Sequence, residues 1–112
     1  MKYKHVYIVA PTSYISGGPE TIHQMCGVIN KYYPGQASIV YVDEHNQIES
    51  HDVLEPYKKY EVNVADNIID NSDNLLIVTE TFSYFLRKFK RINEIPNHIN
   101  FLFPKSSAHN LI

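Results

Sequence analysis

The pattern between residues 6 and 42 constrains the fold more than any other feature of the chain. Val6-Tyr7-Ile8-Val9 is short, β-branched and nearly continuous in apolar character, as expected of a strand buried in a parallel sheet. A polar loop with Gly17-Gly18 follows, and then Ile22, Met25, Cys26, Ile29 and Tyr32 or Tyr33 recur at helical spacing. That spacing predicts a helix with one buried stripe. Pro19 suits the first turn, where its missing N–H costs nothing, and Glu20 is favoured by the positive end of the helix dipole. Pro34-Gly35 ends the helix, and Ala37-Ser38-Ile39-Val40-Tyr41-Val42 reads as a second strand. Strand, helix and strand joined by short loops make a βαβ unit, whose crossover is expected to be right-handed.

The rest of the chain extends this alternation. Residues 43–60 read as a polar loop, 61–64 as a short strand and 65–70 as one or two helical turns broken by Asn71-Ser72-Asp73-Asn74. Leu75-Leu76-Ile77-Val78 is the clearest strand. Phe82, Phe85, Leu86, Phe89 and Ile92 repeat the helical stripe, with Arg87, Lys88, Lys90 and Arg91 facing outward and Pro96 closing the helix region. Residues 99–103 are expected to form a further strand, with an irregular tail from Pro104. The fold class that follows is α/β: a Rossmann-like, mostly parallel sheet with flanking helices, in a single domain, or part of one, over residues 1–112.

Composition narrows the function. A net charge of −2 lacks the basic excess of a general nucleic-acid binder, so no nucleic-acid partner is expected. The apolar run at the N-terminus is too short for a secretory signal, and no segment reaches the roughly 20 apolar residues of a membrane span. With one cysteine, Cys26, no internal disulfide is possible, and a cytoplasmic location is expected.

Gly17 and Gly18 are the first candidate site. A strand, two glycines and a helix N-terminus offer free backbone N–H groups to an anion, and glycine allows close approach. Neither generic nucleotide fingerprint is met, and the Glu20 carboxylate would repel a phosphate placed close by. Taken alone, a turn and an anion-facing loop explain the glycines equally well.

The stretch "PTSYISGGPETIHQM", followed by "YKKY" and "DNLLIVTET", resembles the N-terminal segment of bacterial GT-B-type glycosyltransferases of capsular and surface polysaccharide biosynthesis, over roughly residues 5–90. The resemblance implies an incomplete, N-terminal acceptor-side half of a GT-B fold. It implies sugar transfer from a nucleotide-sugar to a glycan or lipid-linked acceptor, once a donor-binding domain completes the cleft. Gly17 and Gly18 would face the donor diphosphate, Thr12 and Ser13 would line the same loop, and Glu80 would stand on the same rim. The 112 residues hold no second domain, so catalysis by this chain alone is not expected, and no catalytic residue is assigned. A partner chain supplying the donor domain is one expectation, and self-association through exposed apolar surface is another. The alternative is a non-catalytic accessory or binding module, or a truncated remnant.

Other chemistry-bearing residues have simpler readings. Asp43, His45, His51 and Asp52 share a polar loop but match no common zinc spacing, so neither metal nor cofactor is expected. His23 reads as a flank of the core stripe before it reads as a general base, and Cys26 as a small buried hydrophobe. The basic residues 87, 88, 90 and 91 fit a solvated face, with at most weak contact with a membrane surface. The tyrosines of "KYY" and "EPYKKY" suit either sugar stacking or half-buried packing.

Overall fold

The computed structural model describes residues 2–12 and 17–96. Among the described residues four parallel strands form one sheet: β1 (His5–Pro11), β2 (Ala37–Val42), β3 (Asn74–Val78) and β4 (Asn93–Pro96), in the order β2-β1-β3-β4. One α-helix, α1 (Gly17–Tyr32), joins β1 to β2. The protein is an α/β chain with a Rossmann-like arrangement.

The register follows from the apolar runs. Val6 pairs with Ala37 and Ile8 with Ile39 on one side of β1; Val6 pairs with Leu75 and Ile8 with Ile77 on the other. Alternation along the strands then sorts side chains between two cores. On the α1 face, Val6, Ile8, Ala10, Ile39, Tyr41, Leu75 and Ile77 meet Ile22, Met25, Cys26 and Ile29. On the opposite face, Tyr7, Val9, Val40, Leu76 and Val78 meet Phe82, Phe85 and Ile92. Burial on both faces is why these strands read as continuous apolar runs.

The helical stripe of α1 stops at Ile29, because Tyr32 is exposed and Tyr33 only half-buried. Asn30 is buried instead. Its Nδ2 donates to the carbonyls of Ala37 and Glu61, and its Oδ1 accepts the Ala37 N–H at 2.9 Å, tying the helix end to β2. Gly35 takes a φ of +76° in the connection, a conformation that favours glycine.

The outer edge of β2 is covered by the chain itself. Val64 bridges Ile39 in parallel and Ile48 bridges Val42 in antiparallel sense. The strand expected over 61–64 is thus reduced to one bridge. The helical turns expected over 65–70 do not form, because the Ala65 N–H goes to the Ile39 carbonyl and Ile68 packs against the second core.

The second helix differs most from expectation. Residues Glu80–Lys88 form a 3-10 helix with a kink at Phe82, and Phe89 is already extended. Phe82, at the kink, and Phe85 both pack on the face of the sheet opposite α1. The Asp70 carboxylate then accepts the consecutive N–H groups of Lys90, Arg91 and Ile92 at 2.8–2.9 Å. Those donors are withdrawn from any helical ladder, and the chain enters β4 in residues that sequence had assigned to the helix and its close. The strand expected over 99–103 lies outside the described residues.

Candidate functional site

The strand order creates the most suggestive location. The chain leaves β1 through α1 on one face, whereas it leaves β3 through the 3-10 helix on the other. The two connections therefore diverge above the carboxyl ends of adjacent strands, at the topological switch point where open α/β sheets bind ligands. Half-buried Thr12 follows β1 there, and half-buried Thr79 follows β3. Glu80 opens the 3-10 helix immediately afterwards. Gly17 and Gly18 begin α1, with Gly18 exposed. Of the sequence candidates, Thr12 and Glu80 thus belong to neighbouring strand ends, and the glycines to the start of the helix that follows one of them. Ser13 lies outside the described residues. Thr79 was missed by sequence reasoning; its only signal was its place between β3 and Glu80.

The landmarks around the glycines dock on one another. The Tyr60 hydroxyl donates to the Glu20 carboxylate at 2.8 Å, Lys59 Nζ lies 3.3 Å from the same oxygen, and Gln24 Nε2 donates to the Tyr60 hydroxyl. The Tyr60 hydrogen bond, and then Lys59, hold the Glu20 carboxyl below its usual range. Glu20 is therefore a paired charge, which weakens its repulsion of an anion at the glycine end of α1. The segment also packs beside Gly27, where a Cβ would make ordinary contact with the Tyr60 Cβ at 3.4 Å and the Glu61 N at 3.5 Å.

His23 is fully buried one turn into α1. Its Nδ1 lies 2.6 Å from the Pro19 carbonyl oxygen and its Nε2 2.8 Å from the Tyr41 hydroxyl. A carbonyl only accepts, so the proton sits on Nδ1 and Tyr41 donates to Nε2. The Tyr41 oxygen in turn accepts the Leu54 N–H at 3.1 Å, and the His23 ring stacks on Tyr57 at 4.0 Å. Burial lowers the pKa of His23 and pushes the Cys26 thiol up to about 12. A neutral, enclosed imidazole and a protonated thiol serve packing and are out of reach of a substrate.

The remaining candidates also have local partners. The Asp43 carboxylate accepts the N–H groups of His45 and Gln47, which closes the turn after β2, and His51 stacks on Tyr41. Among the described residues, no three His, Cys, Asp or Glu side chains are grouped as a metal site would require. Of the basic residues, Arg87 lies over the Tyr84 ring and Lys88 donates to the Asn46 carbonyl. Of the "EPYKKY" tyrosines, Tyr57 is spent on His23 and Tyr60 on Glu20, whereas Tyr32 of "KYY" is exposed. Among the described residues no helix is long and apolar enough to cross a membrane. Set against protein-family models, curated proteins and solved structures, the chain matches none.

Proposed function

We propose that this chain is the acceptor-side, Rossmann-like domain of a GT-B-type glycosyltransferase that builds surface polysaccharide. The observation that carries the reading is the switch point between β1 and β3, where the glycine end of α1, Thr12 and Glu80 belong to connections that diverge from adjacent strand ends. In the reaction, the bond between the sugar's anomeric carbon and the diphosphate breaks while a bond to an acceptor oxygen forms. Negative charge then grows on the leaving diphosphate. Backbone N–H groups at Gly17 and Gly18 are suited to meet that charge without reorganisation, aided by the helix dipole. Thr12 and Glu80 would contact the acceptor or the transferred sugar from the strand ends. The nucleotide itself would be held by a separate donor-binding domain, contributed by further sequence or by a partner chain.

A second reading has its own support. The two side chains best suited to proton transfer or nucleophilic attack on α1, His23 and Cys26, are enclosed in the core. That favours a non-catalytic module that binds an anionic or sugar ligand at the same crevice.

Amide-resolved NMR titration with a panel of nucleoside diphosphate sugars, and with inorganic pyrophosphate, tests the site. Shifts at Gly17, Gly18, Thr12 and Thr79 are expected, and Gly18→Val should abolish them without unfolding the chain. Shifts confined to other surfaces, or none at millimolar ligand, would sink the reading. Binding without sugar transfer, even after addition of a donor-binding domain, would favour the accessory module.

A further inference from the structure

Two imidazole–phenol stacks meet at one hydrogen bond on the α1 face. His23 lies on Tyr57, and His51 lies on Tyr41 with ring centroids 4.5 Å apart. The His23 Nε2 to Tyr41 hydroxyl contact joins the stacks, and the Leu54 N–H completes the chain. Four separate segments are fastened there: the first turns of α1, the end of β2, the loop carrying His51, and the 3-10 turn Glu55–Tyr57. Every polar atom along the path has a partner only while His23 is neutral.

We propose that His23 is an acid-operated latch, which fastens residues 51–60 to the glycine end of α1 when neutral and releases them when protonated. The step is a proton taken from solvent by Nε2. Nε2–H then points at the Tyr41 oxygen, which already accepts the Leu54 N–H. The Tyr41 hydroxyl hydrogen loses its acceptor, and a cation stands in a fully enclosed site. Both changes disfavour the docked arrangement. Detaching residues 51–60 lets water reach the imidazolium, and it also withdraws Lys59 and Tyr60 from Glu20.

Burial sets the direction, against the Pro19 carbonyl and the nearby charges. On α1 itself, Glu20 favours the protonated ring, but burial outweighs it and holds the His23 pKa below 6.5. From β2, Tyr41 stays a protonated donor, pushed up to about 12 mainly by burial. From the loop, Asp52 faces Tyr41, and His51 pairs with Glu49 at 3.7 Å. From the 3-10 turn, uncharged Tyr57 covers the ring; Lys59 lies beyond Glu20, and Cys26 keeps its proton. The docking contribution of His23 is therefore complete above pH 6.5 and is lost as pH falls through its lowered pKa. This inference stands independently of the glycosyltransferase reading.

The test follows His23 ring resonances and backbone amides of the whole chain by NMR from pH 7.5 downward, with far-UV circular dichroism in parallel. Below pH 6.5, the amides of Leu54, Tyr57, Tyr60 and Glu20 should shift or broaden in step with His23, while Ile8 and Ile77 of the central strands hold. In His23→Gln that step should vanish, because the ring that titrates is gone. The proposal is overturned if wild-type His23 stays neutral until all amides collapse together. It is equally overturned if His51→Gln, with His23 intact, removes the step.

Discussion

The two faces of the sheet are covered by different means. On the α1 face a regular helix lies on the sheet, and polar groups are drawn inside with partners: Asn30 on β2, His23 on Tyr41. On the other face the cover is a 3-10 helix and an aromatic group, Phe82 and Phe85, and the buried polar side chains, Ser38 and Asn74, stand at the starts of β2 and β3 with His5 and the Ile69 carbonyl as partners, away from that cover. There the backbone is directed from the surface, by Asp70 and its three N–H donors. On the first face the covering helix itself is fastened to the sheet by internal hydrogen bonds. On the second the cover packs through apolar area, and one carboxylate fixes the backbone that follows it.

The largest expected effect attacks the aromatic face. Phe85→Ala should cost about 3–5 kcal/mol in urea unfolding, because it removes a fully buried ring from the smaller cover. If the faces are as separate as their cores suggest, amide protection in α1 should persist while protection in β4 collapses. Next comes the buried amide: Asn30→Ala takes the partner from the Ala37 N–H and the Nδ2 donor from the Glu61 carbonyl, while the Ala37 carbonyl keeps Asn63 Nδ2 at 3.5 Å, and should cost about 2–3 kcal/mol. A loss under ~0.5 kcal/mol would mean that internal hydrogen bonds do not fasten α1 to the sheet, since no orphaned polar group would be at stake.

Asp70 gives a smaller, pH-dependent effect. The Lys90, Ile92 and Arg91 N–H groups hold its carboxyl below the usual carboxylate value. Its stabilisation is therefore present above about pH 4 and lost as pH falls through the lowered value. Asp70→Ala should flatten the acid limb of the stability profile and speed hydrogen exchange in β4, leaving α1 unchanged. An acid limb identical to wild type would show that the surface carboxylate does not direct this face. The smallest effect belongs to Lys59→Ala: its pair with Glu20 is exposed, so the urea midpoint should not move measurably at neutral pH.

Legibility followed the same division. β1, α1, β2 and β3 are read from apolar runs and a 3.6-residue stripe, because their burial is set by neighbours close in sequence or by simple alternation. Residues 80–96 were misread as one helix region because the stripe Phe82, Phe85, Leu86, Phe89 and Ile92 has helical spacing. What breaks it is Asp70, whose role is invisible until it is brought beside residue 90. The site divides likewise. The glycines could be marked from sequence, but the neighbourhood of Thr12 and Thr79 depends on strand order.

By itself, then, the sequence determined an α/β chain, its first three strands and the helix that opens with two glycines. These rest on local periodicity and turn chemistry, which the chain carries in every context. Only the tertiary structure decided that His23 is a buried, fully bonded imidazole and that Asn30 anchors β2. It also decided that residues 93–96 are a strand. Each of these depends on a hydrogen-bond partner 7 to 22 residues away, and such a partner exists only once the sheet has brought the segments together.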